Sequence, residues 1–116
     1  YLIMADKGFH LKVLVPTDDG FTISENGIEG ALYFLTYNVS NRSYQLSEKV
    51  KHTNIFNNQF NWSILADYCN EHLVDIILNN KTTNLLKGIK VKVVEPSEIG
   101  AFLNQLIDII DSGNEF

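Results

Sequence analysis

The sequence predicts an α/β domain in which a mixed five-stranded sheet carries helices on both faces. Short apolar runs bounded by Asp, Asn, Gly and Pro are typical of strands. Two longer segments repeat apolar residues at helical spacing. Strands and helices alternate in the second half of the chain, which indicates parallel βαβ units. The predicted element order is β-β-β-α-β-α-β-α.

Length and composition limit the class of protein. A chain of 116 residues suits one domain, and we interpret residues 1–10 as a leader, part tag or extra edge segment, and 11–116 as that domain. Hydrophobic residues make up 45% of the chain, which indicates a globular protein rather than a disordered one. The net charge of −5 disfavours nucleic-acid binding, because that affinity comes largely from Lys and Arg.

The length of the apolar runs and the composition of the first residues predict where the protein is located. None of them approaches the roughly 20 residues that a membrane helix needs. The first residues include Asp6, Lys7 and His10 where a secretory segment would be apolar. We therefore expect a cytoplasmic protein without a membrane partner.

The first predicted strand is the apolar run at residues 11–15, which ends at Pro16 and is typical of a central strand buried on both faces. The polar residues 17–20 predict a turn, since Asp side chains bond their own backbone and Gly accepts positive φ. Residues 21–24 extend the chain briefly. Residues 25–30 contain two glycines and predict a loop.

Two β-rich runs, residues 31–38 and 43–50, predict a hairpin with its turn at 39–42. The second run alternates polar with apolar residues, so one face of that strand should meet water. We expect it at an edge of the sheet.

The first predicted helix follows a polar loop at residues 51–59 and is capped by Asn58 or Asn61. Its buried stripe should consist of Trp62, Leu65, Ala66, Cys69 and Leu73. The single cysteine, Cys69, excludes an internal disulfide and a multi-thiolate metal site within the chain. Its position in the stripe predicts a buried structural thiol.

The remaining elements form two βα units. Residues 73–78 predict a strand, and a short helix over 82–87 should end at Gly88 as its C-cap. Residues 89–94 predict the last strand. Ser97 should then cap a final helix. The inward face of that helix should consist of Ile99, Phe102, Leu103, Leu106 and Ile110.

The first, fourth and fifth strands should be parallel and central, so their polar carboxyl ends should converge where open α/β folds bind ligands. Asp18 and Asp19 either bind a hard cation, as in a ribonuclease H-type nuclease, or stabilise a turn through Asx bonds. Asn79 and Asn80 either contact a ligand or shape the strand-to-helix turn. The dipeptide Asn26-Gly27 predicts a turn first and a ligand loop second.

Several segments together resemble a known family. Residues 12–25 and 31–39 are similar to the dinitrogenase iron-molybdenum cofactor biosynthesis family, whose NifX-like domain also occurs at the C-terminus of NifB. Residues 74–78 and 88–91 resemble its later strands. The resemblance implies a three-layer α/β/α ribonuclease H-like fold. It also implies non-catalytic binding or carriage of an iron-molybdenum or iron-sulfur cluster or another small anionic ligand, with a cluster donor or acceptor protein as partner.

The candidate cofactor-binding residues combine the predicted strand ends with this resemblance. They are Asp18, Asp19, Asn26, Gly27, His52, Asn79 and Asn80. His52 is included because family members often have histidines in the loop before the first helix.

The chain departs from the family pattern in two loops. Members commonly carry His-Phe-Gly before the second strand, where this chain has residues 25–31, and Gly-Gly-Ile-Gly after the fourth, where it has 79–83. These departures leave open that the chain is a degenerate member that acts as a protein interaction module. The carboxylates of Asp18 and Asp19 leave open a third alternative, a metal-dependent ribonuclease H-like hydrolase that uses Asp18.

Overall fold

Five strands form one mixed sheet in the computed structural model, which describes residues 10–40, 43–56, 59–80 and 89–112. The strands are β1 (His10–Thr17), β2 (Tyr33–Ser40), β3 (Tyr44–Lys51), β4 (Ile76–Asn79) and β5 (Lys90–Val93). They lie in the order β3-β2-β1-β4-β5. β1, β4 and β5 are parallel, and β2 and β3 run antiparallel to their neighbours. The α/β class, the mixed five-stranded sheet and the edge position of β3 are as predicted.

Four helices accompany the sheet in the described part of the chain. They are α1 (Gly27–Gly30), α2 (His52–Phe56), α3 (Trp62–Glu71) and α4 (Ile99–Asp111). α1 and α2 occupy segments that were predicted as loops, so the predicted element order is wrong in those two places. Each is a single turn with one buried apolar anchor, Ile28 or Phe56, and is too short to leave a helical repeat in the sequence. The helix predicted over 82–87 lies outside the described residues.

The helices pack on both faces of the sheet, and each face has its own core. Against α4, the buried residues include Val13, Val15, Leu35, Ile76, Leu78, Ile99, Leu103, Leu106 and Ile107. Against α1, α2 and α3, they include Leu14, Ile28, Phe34, Phe56, Leu65, Cys69, Val74, Ile77 and Ile89. The inward face predicted for α4 is confirmed, with Ile107 as an unpredicted member. No helix in the described ranges is both long and apolar enough to cross a bilayer.

β1 contributes to both cores, as expected of a central strand: Leu14 faces one and Val13 and Val15 face the other. The strand begins at His10, within the predicted leader, and continues through Pro16. Proline is tolerated because β4 pairs only with Val13 and Leu14, so no ladder bond is required on that side of Pro16. The Pro16 carbonyl accepts a bond from the Ser24 backbone N–H there, at 2.8 Å.

Two predictions about the C-terminal half are wrong. β5 lies at the edge of the sheet rather than in its centre, because it pairs with β4 and no described strand follows it. Glu98, not Ser97, occupies the N-cap of α4, and it makes no side-chain capping bond. The Ser97 carbonyl instead accepts from the Ile23 backbone N–H at 2.8 Å. That bond joins the segment before α4 to the loop after β1.

The two ends of α3 are defined by hydrogen bonds. Asn61 is the N-cap, as predicted, and its side-chain oxygen accepts from the backbone N–H groups of Ser63 and Ile64. At the other end, Val74 donates to the Cys69 carbonyl at 2.9 Å and Leu73 donates to Asn70 at 3.4 Å. These two bonds are those of a Schellman motif.

Leu73 occupies the left-handed position of this motif, with φ of 58°, and is 73% exposed. Its predicted place in the buried stripe is therefore wrong. The chain reverses at Leu73, so the helical repeat stops one residue earlier, at His72. A leucine here carries both the steric cost of positive φ and an unburied apolar side chain.

We expect Leu73→Gly to raise the free energy of unfolding by about 1 kcal/mol, because glycine adopts positive φ without a steric cost. Urea denaturation would measure the change. Leu73→Ala is the control, since it removes the same exposed side chain but keeps the Cβ, and it should leave stability nearly unchanged. A lower urea midpoint for the glycine variant would contradict this account of the motif.

Candidate functional site

The carboxyl ends of β1 and β4 are covered by residues 18–32, which we call the edge loop and which contain α1. The loop folds back on β1, because Ile23 forms a bridge with Thr17 and Ser24 donates to Pro16. Thr22 pairs with Glu98, and Ile99 donates to the Phe21 carbonyl at 2.8 Å. The edge loop is thus fastened to β1 and to the start of α4.

Asp19 closes the turn that follows β1. Its Oδ1 accepts from the backbone N–H groups of Phe21 and Thr22, both at 2.8 Å, and the Thr22 hydroxyl bonds to the same carboxylate. The backbone N–H of Phe21, followed by that of Thr22, lowers the pKa of Asp19 from 3.8 to about 2, although the side chain is exposed. The carboxylate charge therefore holds the turn.

Asp18 joins the two ends of the edge loop. Its Oδ2 accepts from the Ser24 hydroxyl at 3.0 Å and from Asn26 Nδ2 at 3.4 Å. Its Oδ1 accepts from the Leu32 backbone N–H at 3.0 Å. Both carboxylates are thus engaged by donors of their own loop, and no three His, Cys, Asp or Glu side chains of the described residues come together as metal ligands.

The structure brings the Asn79-Asn80 pair against the loop that contains the dipeptide Asn26-Gly27. Asn79 is 1% exposed, and its Oδ1 accepts from the Ile28 backbone N–H at 3.1 Å. Asn80 donates from Nδ2 to the Glu25 carbonyl at 3.1 Å. Gly27, with φ of 70°, lies so close that a Cβ there would be 2.6 Å from Asn79 Oδ1 and closer still to Asn80 Oδ1. The position therefore requires glycine both for its φ and for its space.

A polar cavity of about 540 Å³ lies beside this contact. The described residues that line it are Asn26, Glu29, Gly30, Asn79 and Asn80. Its volume falls within the range of roughly 300–1,000 Å³ that is usual for small-molecule sites. Three side-chain amides and one carboxylate supply its polar surface, so the cavity suits a ligand that is recognised by hydrogen bonds.

His52 is not among the described residues that line the cavity. Its backbone N–H donates to the Leu32 carbonyl at 2.9 Å, which places it next to the edge loop. Its ring, however, packs against Phe56, Phe34 and Phe60 at centroid distances of 4.7, 5.9 and 6.4 Å. Nε2 is buried there without a hydrogen-bond partner in the described part of the chain.

Cys69 lies on the inward face of α3 and is fully buried, as predicted. Burial raises the pKa of its thiol to about 12, which disfavours the thiolate form that binds metals. This cysteine contributes packing to the core.

Ile28, Glu29 and Gly30 are the site residues that the sequence analysis missed. Ile28 is 0% exposed and anchors α1 in the core, and Glu29 lines the cavity. The sequence signal was slight: one apolar residue between two glycines in a segment that otherwise has the composition of a loop.

The fold and the cavity define an α/β domain with a ligand-sized site at the carboxyl edge of its parallel strands. No protein-family model matches the chain, and no curated protein matches it. A solved structure described as "Crystal structure of PH0822" has a similar fold, with a TM-score of 0.65 and 18% sequence identity. The similarity covers 84% of this chain and 91% of that chain. At this identity it shows the fold alone.

Asp19 should give the protein a measurable pH dependence of stability. Because its pKa is lower in the folded protein than its ordinary value of 3.8, the ionised carboxylate stabilises the fold above about pH 4. That contribution is lost as the pH falls towards about 2. The melting temperature of the wild type should therefore exceed that of Asp19→Asn near neutral pH, and the difference should shrink on acidification.

The exposed Asp111, at the end of α4, provides the control for this titration. The same substitution there should give a smaller difference from wild type throughout the range. A wild-type advantage over Asp19→Asn that stays constant from about pH 5 to about pH 2 would contradict the role assigned to the carboxylate.

Gly27→Ala should destabilise the protein more than Gly20→Ala. Both glycines have positive φ, but a Cβ at Gly20 meets nothing within 4 Å. Gly20→Ala should thus cost only the strain of that conformation, about 1 kcal/mol. Gly27→Ala should cost a further 1 kcal/mol or so, because Asn79 and Asn80 must move. Equal urea midpoints for the two variants would show that the amides do not constrain Gly27.

Proposed function

We propose that this chain is a non-catalytic, NifX-like domain that binds a small polar ligand at the carboxyl edge of its sheet. The cavity beside Asn79 and Asn80 is the observation that carries the proposal. The strand order β3-β2-β1-β4-β5, with helices on both faces, supports assignment to the three-layer ribonuclease H-like type. Non-catalytic binding suits a site whose two aspartates are engaged in loop structure.

An iron-molybdenum or iron-sulfur cluster is the cargo that the family resemblance implies. Among the described residues, the Cys69 thiol is buried in the core and the His52 ring packs among phenylalanines. The cavity side chains are amides and a carboxylate instead of the thiolates that bind iron-sulfur clusters. These side chains do not supply the ligands of a cluster, so a cluster would have to be received ready-made from a donor protein.

The direct test compares the wild type with Asn80→Leu, which replaces one cavity amide by an apolar group. Asn54→Leu is the matched control, since Asn54 is exposed on α2 and is not among the described residues that line the cavity. A thermal-shift screen would use small polar metabolites of both charges. A parallel arm would use an anaerobic iron-sulfur cluster donor, with visible absorbance recorded after gel filtration.

We expect a ligand that raises the melting temperature of the wild type and of Asn54→Leu but not of Asn80→Leu. At a concentration one hundred times its Kd, such a ligand adds about 2.7 kcal/mol, or on the order of 10 °C for a domain of this size. If no metabolite shifts the melting temperature and no chromophore is retained, the proposed ligand binding is wrong.

A second candidate function, a protein interaction module, is favoured by two exposed apolar side chains on the edge loop. Phe21 is 74% exposed and Leu32 is 60% exposed. The backbone N–H of each is bonded to one of the paired aspartates, so both side chains are held on an ordered loop. Loss of a partner protein on Phe21→Ser and Leu32→Ser, without any small-ligand binding, would support this alternative over the first.

A further inference from the structure

The hydrogen bonds around the cavity fix the orientation of two amides that line it. Asn26 Nδ2 donates to the Asp18 carboxylate, and Asn80 Nδ2 donates to the Glu25 carbonyl. Both of these partners can only accept hydrogen bonds. Each amide must therefore direct its NH₂ group towards the protein, and a flipped orientation would place oxygen against oxygen.

The amide oxygens are consequently left for a ligand. In the described ranges, Oδ1 of Asn26 and Oδ1 of Asn80 accept no hydrogen bond from the protein. Both residues line the cavity, and the oxygen is the negative end of each amide dipole.

The charges of the edge loop have the same sign as these dipoles. Residues 18–32 contain Asp18, Asp19, Glu25 and Glu29 and neither lysine nor arginine. Glu29 lines the cavity itself. A negative potential attracts cations and repels anions, and hydrogen-bond acceptors require a ligand with N–H or O–H donors.

We infer that this cavity takes an organic cation with N–H donors, such as a guanidinium or primary ammonium group, in place of the anionic cargo that the family resemblance implies. The inference rests on the proposed ligand-binding function and names the chemical class of the ligand. The amide oxygens of Asn26 and Asn80 would accept its hydrogen bonds, and Glu29 would supply the opposite charge.

Isothermal titration calorimetry with three probes tests the inference. Agmatine carries a guanidinium and a primary ammonium group. Hexamethonium is also a dication but has no N–H donor, and citrate is an anion. We expect agmatine to bind at least tenfold more tightly than hexamethonium, and citrate not to bind.

Glu29→Gln should weaken agmatine binding about tenfold, because it removes the charge but keeps the size of the side chain. Glu71→Gln is the matched control, since Glu71 is exposed at the end of α3 and is not among the described cavity residues. It should leave the Kd unchanged. An equal loss in both variants would show that only the net charge of the protein matters and would overturn the assignment.

The remaining outcomes separate this inference from the proposed function. If citrate or a cluster binds in the wild type but not in Asn80→Leu, and agmatine does not bind, the cation assignment is wrong and the ligand-binding function stands. Equal binding of hexamethonium and agmatine would overturn the requirement for N–H donors. If none of the three probes binds, the cation assignment fails, and the metabolite screen with Asn80→Leu decides the proposed function by itself.

Discussion

A buried amide at the end of a strand must have its hydrogen-bonding groups paired, because an unpaired one costs about 1–3 kcal/mol. Asn79 is such a residue, and its side-chain oxygen accepts from the backbone N–H of Ile28, 51 positions earlier in the chain. This bond places α1 on the sheet, so that Ile28 enters the core with Leu14 and Phe34. It also brings Gly27 against the asparagine amides, which gives the cavity one of its sides.

Asp18 and Asp19, which follow β1, order the same edge loop from its N-terminal end. Asp19 holds the turn at the start of the loop, and Asp18 ties that turn to Ser24 and Leu32. These bonds order the loop by internal hydrogen bonding, so its cavity exists before a ligand arrives. Such preorganisation lowers the entropic cost of binding for any ligand that fits the cavity.

The sequence was sufficient to predict the strands of the sheet, but not the edge position of β5 or the short helices attached to the sheet. β1 could be recognised because a strand buried on both faces is apolar at nearly every position, and α4 because its inward residues repeat at helical spacing. α1 and α2 are one turn each, so they leave no repeat to detect. The exposure of Leu73 could not be predicted either, because the Schellman reversal depends on where α3 ends in three dimensions.

For the candidate site too, one part could be predicted from the sequence and another part could not. That Asn26, Gly27, Asn79 and Asn80 lie together follows from the rule that parallel strands end at one edge of the sheet. Which atoms of these residues face a ligand does not follow, since an asparagine offers both donors and acceptors. The choice is made by their protein partners. The Asp18 carboxylate and the Glu25 carbonyl accept from the NH₂ groups of Asn26 and Asn80, so the bonds that order the loop also fix the orientation of these two amides.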